Sequence, residues 1–450
     1  MDDTICSIAT NLGVGAISII RVSGNDALKI VSNIFSKNLD GVSSHTIHYG
    51  YIKNNEEIID EVLVSVMLKP KTYTMEDVVE INCHGGIETT NKVLELLLLK
   101  GCRLAEPGEF TKRAFLNGRI DLMQAEAVAD LINSKTDKAR KMAINGLKGR
   151  GSDLIRKLRE ELINIISNIE VNIDYPEYED IYEVTIKDIE NSTINIKKSL
   201  LKIISDYEDG KLIKDGILTA IIGKPNVGKS SLLNRLLNEE KAIVTNIAGT
   251  TRDIVEGEIL IDGIKLNIID TAGIRETADV VESIGVKKSL DIINKATLTL
   301  LLLDNSKELS SDDLLLLEKT KSKTSIVVIN KDDLKSKINL SELNDRNIVY
   351  VNTLSNEGIE NLKNEIKRLF NLEKLEASDY NYITNVRQIA KIKECLVSIE
   401  DIEKGLKENT PLDIIEIDLK NIWETLGSII GETYDEELLD NLFSKFCVGK

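Results

Sequence analysis

The first 118 residues carry their apolar positions in short runs of strand type, "AISIIRVSG", "EVLVSVML" and "DVVEINCHGG", around one run at helical spacing, "TTNKVLELLLLKG". Alternation with period two turns one face of a strand to a core and the other outward, so this stretch predicts a compact α+β domain over 1–118. From 119 to 211 the apolar period lengthens to that of amphipathic helices, with almost no Gly or Pro, in "DLMQAEAVADLIN", "DLIRKLREELINIISNIE" and "DIENSTINIKKSLLKIISDYEDG". "DYPEYED" breaks two of these helices as a loop. At "ILTAIIGKPNVGKSSLLNRLL" the pattern becomes strand, glycine loop, helix. "KLNIIDTAG", "LTLLLLDNS", "TSIVVINKDD" and "IVYVNTLS" then read as strands separated by helical stretches, the signature of an α/β parallel sheet over 212–375. Helical spacing returns over 376–450. The termini of a compact domain usually lie close together, so the expected fold is multidomain. An α/β unit is inserted into one helical domain built from 119–211 and 376–450, and the α+β domain precedes both. No internal repeat or low-complexity segment interrupts this plan.

A chain of 450 residues exceeds one ordinary core, which agrees with two or three domains. With 42% apolar and 29% charged residues the balance is globular. No apolar run approaches the roughly 18 residues of a membrane span, and "TLTLLLLD" is strand-sized, so no membrane association is expected. "MDDTICSIAT" has acids where a secretory signal would carry positive charge. The five cysteines, Cys6, Cys83, Cys102, Cys395 and Cys447, are odd in number, far apart and without a CxxC pair. That predicts reduced thiols in the cytoplasm, with neither a disulfide framework nor a zinc site. The formal charge of −17 disfavours indiscriminate binding to phosphate backbones. Only 135–159 runs the other way, with Lys138, Arg140, Lys141, Lys148, Arg150, Arg156, Lys157 and Arg159. It reads first as a solvated helix face and second as the chain's best RNA-contact candidate.

"GKPNVGKS" fits a phosphate loop: Gly223, four residues, Gly228, Lys229, Ser230. Its glycines let backbone N–H groups turn onto phosphates at a helix N-terminus. Lys229 reaches the β- and γ-phosphates, and Ser230 offers a hydroxyl to Mg2+. Downstream, "IIDTAG" sets Asp270 at the end of an apolar strand, where it can hold the Mg2+ shell. Thr271 and Ala272 follow, and the Gly273 N–H can meet the γ-phosphate. "NKDD", residues Asn330, Lys331, Asp332 and Asp333, again follows a strand. A carboxylate there accepts from guanine N1–H and the 2-amino group, and adenine offers neither donor. With "GTTRD" between them the set predicts GTP binding. The expected contacts are Asn226, Val227, Gly228, Lys229, Ser230 and Ser231, then Thr245, Asn246, Ile247, Ala248, Gly249, Thr250 and Thr251, then the "DTAG" and "NKDD" residues. Hydrolysis also needs a group that orients water. Ile274, where many regulatory GTPases carry glutamine, cannot do so.

These motifs, with "GVGAISIIRVSG", "KTYTMEDVVEINCHGG", "EPGEFTKRAFLNGRIDLMQAEAVADLI" and the terminal "FCVGK", resemble the tRNA modification GTPase family known as MnmE or TrmE over nearly the whole chain. The resemblance implies a folate-binding, dimerising α+β domain, a helical domain, and a P-loop GTPase domain inserted in the latter. It implies a homodimer that joins an FAD-containing protein, MnmG or GidA, in a heterotetramer. That complex adds an aminomethyl or carboxymethylaminomethyl group to carbon 5 of the wobble uridine in certain tRNAs. The carbon comes from a methylene-tetrahydrofolate, and the nitrogen from ammonium or glycine. By the same resemblance Glu282 in "VVESIGV" orients water, and Asn226, Thr245, Ile247 and Thr250 hold K+. Ser230 and Thr251 hold Mg2+. Arg21, Glu80, Arg119 and Lys450 contact a 5-formyl- or methylene-tetrahydrofolate. A fixed K+ would stand in for an arginine finger. Two positions depart from the family pattern. A Ser-Ala motif after the last strand reads Asn352-Thr353, and the glycine of "YTGED" is Met75.

Two other function classes compete. A GTP-switched RNA-binding or ribosome-assembly GTPase similar to the Era group would need an RNA module such as a KH domain, and "NCHGGIE" lacks the GXXG spacing. A prenylated membrane GTPase would use Cys447, fourth from the end, but Lys450 is a poor final residue and no polybasic run precedes it. Cys83 and His84, neighbours on a strand, point to opposite faces and read as structural. His45 and His48 read as surface residues. Leu438, Leu439, Leu442 and Phe446 recur at helical spacing. They predict a last helix that docks and fixes the tail, carrying Cys447 and Lys450 to the folate pocket with Cys447 as a catalytic candidate there.

Overall fold

The structure, a computed structural model, describes residues 3–174, 179–239, 255–269, 292–375 and 383–449. The chain forms two compact units. The first comprises Met1–Ile132, Gly146–Leu200 and Val386–Lys450, and the second Asn133–Asn145 and Leu201–Asn385.

The first unit opens with β1 (Ile5–Ile8), β2 (Gly15–Ser23), α1 (Ala27–Ser32), β3 (Thr46–Asn54), β4 (Glu57–Met67), β5 (Val78–Gly85), α2 (Ile87–Leu99), β6 (Arg103–Leu104), α3 (Glu109–Leu116) and α4 (Leu122–Asn133). Its six strands form one sheet in the order β3-β4-β5-β2-β1-β6, antiparallel except for the β1–β6 pair. Alternation does what period two requires. Ile20, Val22, Val64, Val66, Ile81 and Cys83 turn inward to pack with Val93 and Leu97 of α2. On the opposite face Ile17, Ile47, Tyr49 and Leu63 are exposed, with Tyr49 directly across from Leu63.

Three helices follow, α5 (Asp137–Leu147), α6 (Arg150–Asp174) and α7 (Glu179–Asp215); α5 and α7 each contribute residues to both units. The expected "DYPEYED" loop falls largely on 175–178, outside the described residues. In the second unit come β7 (Ile217–Ile222), α8 (Lys229–Glu239), β8 (Val255–Ile261), β9 (Ile264–Ile269), β10 (Leu298–Asp304), α9 (Ser311–Thr320), β11 (Ser325–Asn330), β12 (Asn347–Val351) and α10 (Ile359–Leu369). The sheet order is β12-β11-β10-β7-β9-β8, parallel except for the edge strand β8. Every residue of β10 and β11 is buried, as central parallel strands covered on both faces must be. β7 lies between β9 and β10, so the strand order reverses at its carboxyl end, where open α/β sheets place ligands.

The chain closes in the first unit with α11 (Val386–Lys407), α12 (Leu412–Ile430) and α13 (Glu436–Phe443). Asp435 caps α13 through the Glu437 N–H, and Leu439, Phe443 and Phe446 bury against Ala114, Phe115, Ile120 and Leu122. The last helix therefore docks as expected, with one correction. Phe443 is a principal anchor and Leu438 only half-buried, because a residue one position off the stripe turns away from α3 and α4.

Candidate functional site

The phosphate loop connects β7 to α8. Its backbone takes left-handed φ values at Gly223 (143°), Asn226 (64°) and Gly228 (104°). Glycine is needed at both ends. A Cβ on Gly223 would lie 2.5 Å from the Leu302 carbonyl oxygen, and one on Gly228 would overlap Asn330 Nδ2. Lys229 Nζ donates to the carbonyls of Gly223 (2.6 Å) and Lys224 (2.8 Å), so the ammonium lies across its own loop. Burial pushes its pKa down. An anion at the loop would restore what desolvation takes from the charged form. Lys224 Nζ bonds Ser310 Oγ (2.6 Å) and Asp313 Oδ2 (3.1 Å), the two side chains of the capping box that starts α9. Val227 is buried, Ser230 half-buried, and Asn226 and Ser231 are exposed.

The "NKDD" segment leaves β11 beside this loop. Asn330 Nδ2 donates to the Val227 carbonyl (2.8 Å) and Oδ1 accepts from Thr353 N–H (3.2 Å), joining the phosphate loop, the base loop and the end of β12. Lys331, at φ 64°, bonds Asp304 Oδ2 at 2.6 Å. Burial disfavours charge on Asp304, but hydrogen bonds from Lys331 and Ser306 outweigh it and hold the carboxyl below its ordinary range. Asp332 and Asp333 are exposed. Asn352 Oδ1 accepts from Leu354 N–H (2.9 Å) and Ser355 N–H (3.3 Å), so the departure at Asn352-Thr353 closes its turn with a side chain. Thr245 to Thr251, Asp270 to Gly273, Ile274, Glu282 and Lys450 lie outside the described residues.

In the first unit Arg21 of β2 and Glu80 of β5 are register partners and pair at 2.8 Å. Arg21 Nη1 also donates to the Gly449 carbonyl at 3.3 Å. Its guanidinium carbon lies 5.9 Å from the Tyr73 ring centre and 5.6 Å from that of Phe110, and Arg119 stands 4.4 Å over Tyr73. Arg21, Glu80 and Arg119 thus come together, around two aromatic residues that no charge or spacing argument singles out. Tyr73 lies inside "KTYTMEDVVE", so the only signal is an aromatic beside a turn. The tail reaches the same place. Gly108 N–H donates to the Cys447 carbonyl at 3.3 Å, and Gly449 has φ 92° with room for no Cβ, which would lie 2.6 Å from the Ile8 carbonyl oxygen. The Cys447 thiol is exposed. Met75 is left-handed at φ 61°, so the turn keeps the conformation glycine would take. Beyond Arg119 an open cleft of about 350 Å³ is lined by Phe115, Asp121, Arg156, Glu432 and Tyr434 among others.

The remaining candidates are structural. Cys83 is buried, its thiol donates to the Ser18 carbonyl (3.3 Å), and burial pushes its pKa up. His84, on the opposite face, pairs with Asp60 at 2.7 Å. His45 and His48 bond Ser44 and Thr46. Among the described residues no group of at least 3 His, Cys, Asp or Glu side chains could hold a metal. The basic stretch is largely neutralised. Lys138 pairs with Asp262, Arg140 and Lys141 with Asp137, Arg156 with Asp121, and Arg159 with Glu432 while stacking on Trp423 at 4.0 Å.

Comparison with known proteins matches residues 4–119 to the "GTP-binding protein TrmE N-terminus" and 122–447 to the "MnmE helical domain". The chain is 48% identical to the tRNA modification GTPase MnmE of Bacillus subtilis and to that of Bacillus licheniformis, covering 100% of this chain and 100% of each relative. It is 49% identical to that of Enterococcus faecalis, covering 98% of the relative. Among solved structures, the G domain of the T. maritima FeoB iron transporter aligns at 28% identity with a TM-score of 0.26, over 34% of this chain and 98% of that one. The chain belongs to the MnmE family.

Proposed function

We propose that this member of the MnmE family is a tRNA modification GTPase, the activity its relatives are named for. The observation that carries the reading is the pair of joined loops of the second unit, in a chain that matches those relatives end to end. Asn330 ties the glycine loop to the segment that carries Asp333, the residue expected to meet guanine. An Era-type RNA switch leaves the match over 4–119 unexplained.

Four chain segments divide the work: 1–118 for folate and dimerisation, 119–211 and 376–450 as the helical domain, and 212–375 for GTP. Lys229 and the loop N–H groups bind the β- and γ-phosphates. Asp270 and Thr271 to Gly273 follow around the γ-phosphate, and Asp332 and Asp333 face the base. Ser230 and Thr251 would hold Mg2+, which offsets the charge of the transferring phosphate. Asn226 would hold K+ with Thr245, Ile247 and Thr250. Its exposed amide, on left-handed backbone within the loop, fits such a ligand. By the family resemblance Glu282 orients the attacking water, a role Ile274 cannot fill.

Arg21 is paired with Glu80 while Arg119 makes no ion pair among the described residues, which leaves positive charge for an anionic folate, to which Lys450 adds. Cys447 is the catalytic candidate there. A tRNA wobble uridine and an FAD-containing MnmG-type partner complete the reaction, in the cytoplasm and away from membranes. No described helix is long and apolar enough to cross one. The exposed apolar side chains Ile17, Ile47, Tyr49 and Leu63 on one face suit a homodimer through the N-terminal sheet.

Mass spectrometry of wobble uridines from cells with and without the protein tests the function. Loss of the C5 substituent is expected on deletion, and an unchanged nucleoside profile would refute the reading. GTP hydrolysis should be fast in K+ and slow in Na+. Glu282→Ala should keep GTP affinity and lose most of kcat, because water is oriented in the transition state.

A further inference from the structure

Two cations converge on one ring that no expected contact set includes. Arg119 lies 4.4 Å from the centre of the Tyr73 ring and Arg21 5.9 Å from it. Arg21 has other supports, namely Glu80, the Gly449 carbonyl and the Phe110 ring. Arg119 makes no ion pair among the described residues, and its guanidinium rests on Tyr73 alone. Glu80 is committed to Arg21 Nε, so it neutralises only one of the two guanidinium groups. The negative face of an aromatic ring attracts a cation without cancelling its charge, so one ring holds both guanidinium groups within about 6 Å of its centre.

The ring is also held in place. Tyr73 Oη bonds the fully buried Thr111 Oγ1 at 2.9 Å. The backbone on either side is tied down by Asn117 Nδ2 to the Thr74 carbonyl (2.7 Å) and Thr72 Oγ1 to the Glu76 carbonyl (2.6 Å). Glu76 is gripped by the buried Arg113 (3.0 Å) and by Ser23 Oγ (2.7 Å). A platform fixed from three sides is what a preorganised receptor needs.

We propose that Tyr73 is a positioning residue of the folate site, its ring holding Arg21 and Arg119 as a two-guanidinium receptor for the anionic end of a tetrahydrofolate. The inference rests on the folate reading given above. It assigns Tyr73 no chemistry of its own. The ring acts through the arginines, and its π face, not its hydroxyl, is what matters.

The test is calorimetric titration of the full-length protein with 5-formyl-tetrahydrofolate at two salt concentrations. Tyr73→Leu should weaken binding by about tenfold or more, the order that loss of cation–π contacts allows, and flatten the salt dependence seen in the wild type. Tyr73→Phe should bind within about threefold of wild type, because the π face is kept. Wild-type affinity in Tyr73→Leu, or Tyr73→Phe as weak as Tyr73→Leu, overturns the inference. If Tyr73→Leu melts early, Arg119→Gln replaces it. A weak Arg119→Gln beside a near-normal Tyr73→Phe supports the receptor, and equal weakness of the two overturns it. A wild-type protein that binds no folate refutes the folate reading before any variant is made, so the two failures are distinct.

Discussion

The phosphate loop of the second unit and the arginine pair of the first both gather positive charge, and they are built in opposite ways. The loop is local. Within 223–230 it supplies its own glycines, its own lysine and the carbonyls that hold that lysine. Its charge is partly buried and rests on backbone dipoles, so the burial that lowers the Lys229 pKa is a cost an incoming phosphate relieves. The arginine site is assembled from β2, β5, the turn at Tyr73, α3 and the docked tail, with 428 positions separating Arg21 from the Gly449 carbonyl it bonds. Its cations rest on aromatic faces, and Arg119 makes no ion pair among the described residues. A site made of consecutive residues can be moved between folds as a piece, whereas one made of distant residues exists only when the whole unit is folded.

The largest effect that tests this contrast is loss of the loop lysine. Lys229→Met should weaken GTP binding by about a hundredfold, the scale of two or so charge-assisted hydrogen bonds to phosphate. Titration with a fluorescent guanine nucleotide measures it. The same variant should bind 5-formyl-tetrahydrofolate as the wild type does. A parallel loss of folate affinity would show that the two charge clusters are not independent.

The same contrast governs what was legible from residue types and spacing. Gly223, Gly228, Lys229 and Asn330 are where the motif puts them, because close backbone approach and a left-handed turn leave few alternatives. Arg21, Glu80 and Arg119 come only with a family resemblance. Nothing in their spacing reveals that a register pair on β2 and β5 meets an arginine after α3. Tyr73 and Phe110 are silent in sequence because an aromatic near a core is ordinary. Among the elements, β8 is masked by its acids and Gly257, as suits an edge strand with one wet face. α5 is masked by a narrow stripe, Ala139, Met142 and Ala143, amid polar residues. Phe443 rather than Leu438 anchors the tail because the phase of α13 is set by its cap at Asp435, which spacing alone does not fix.

A smaller effect sits at the turn that carries Tyr73. Met75 holds φ 61°, a conformation that costs a non-glycine residue about 1–2 kcal/mol. Met75→Gly removes that strain but loosens the unfolded chain and gives up a half-buried side chain. The expected net is a gain of up to about 1 kcal/mol in chemical denaturation, with folate affinity kept because the hydrogen bonds to Thr74 and Glu76 remain. Destabilisation would mean that the methionine side chain, not the turn, fixes this loop. The receptor at Tyr73 would then depend on packing more than on backbone geometry.

The smallest effect lies on the open side of the same sheet, at His84 and Asp60. The Asp60 side chain bonds both the His84 ring (2.7 Å) and the His84 backbone N–H (2.8 Å). Its hydrogen bond, then its charge, raises the His84 pKa above the ordinary 6.5. A raised pKa in the folded state means that the folded protein binds the proton more tightly than the unfolded chain. The pair's stabilisation is therefore fully present below about pH 6.5 and fades as pH rises through the folded pKa. An NMR titration should find the His84 midpoint above 6.5 in the wild type, and near it in Asp60→Asn, which keeps an acceptor for the backbone N–H while removing the charge. Melting temperatures of the two proteins should differ more at pH 6 than at pH 8. His84 is exposed, and water and salt screen the pair, so the difference should also shrink as ionic strength rises. A difference that grows above pH 7 would mean that Asp60 serves the backbone of β5 and not the imidazolium.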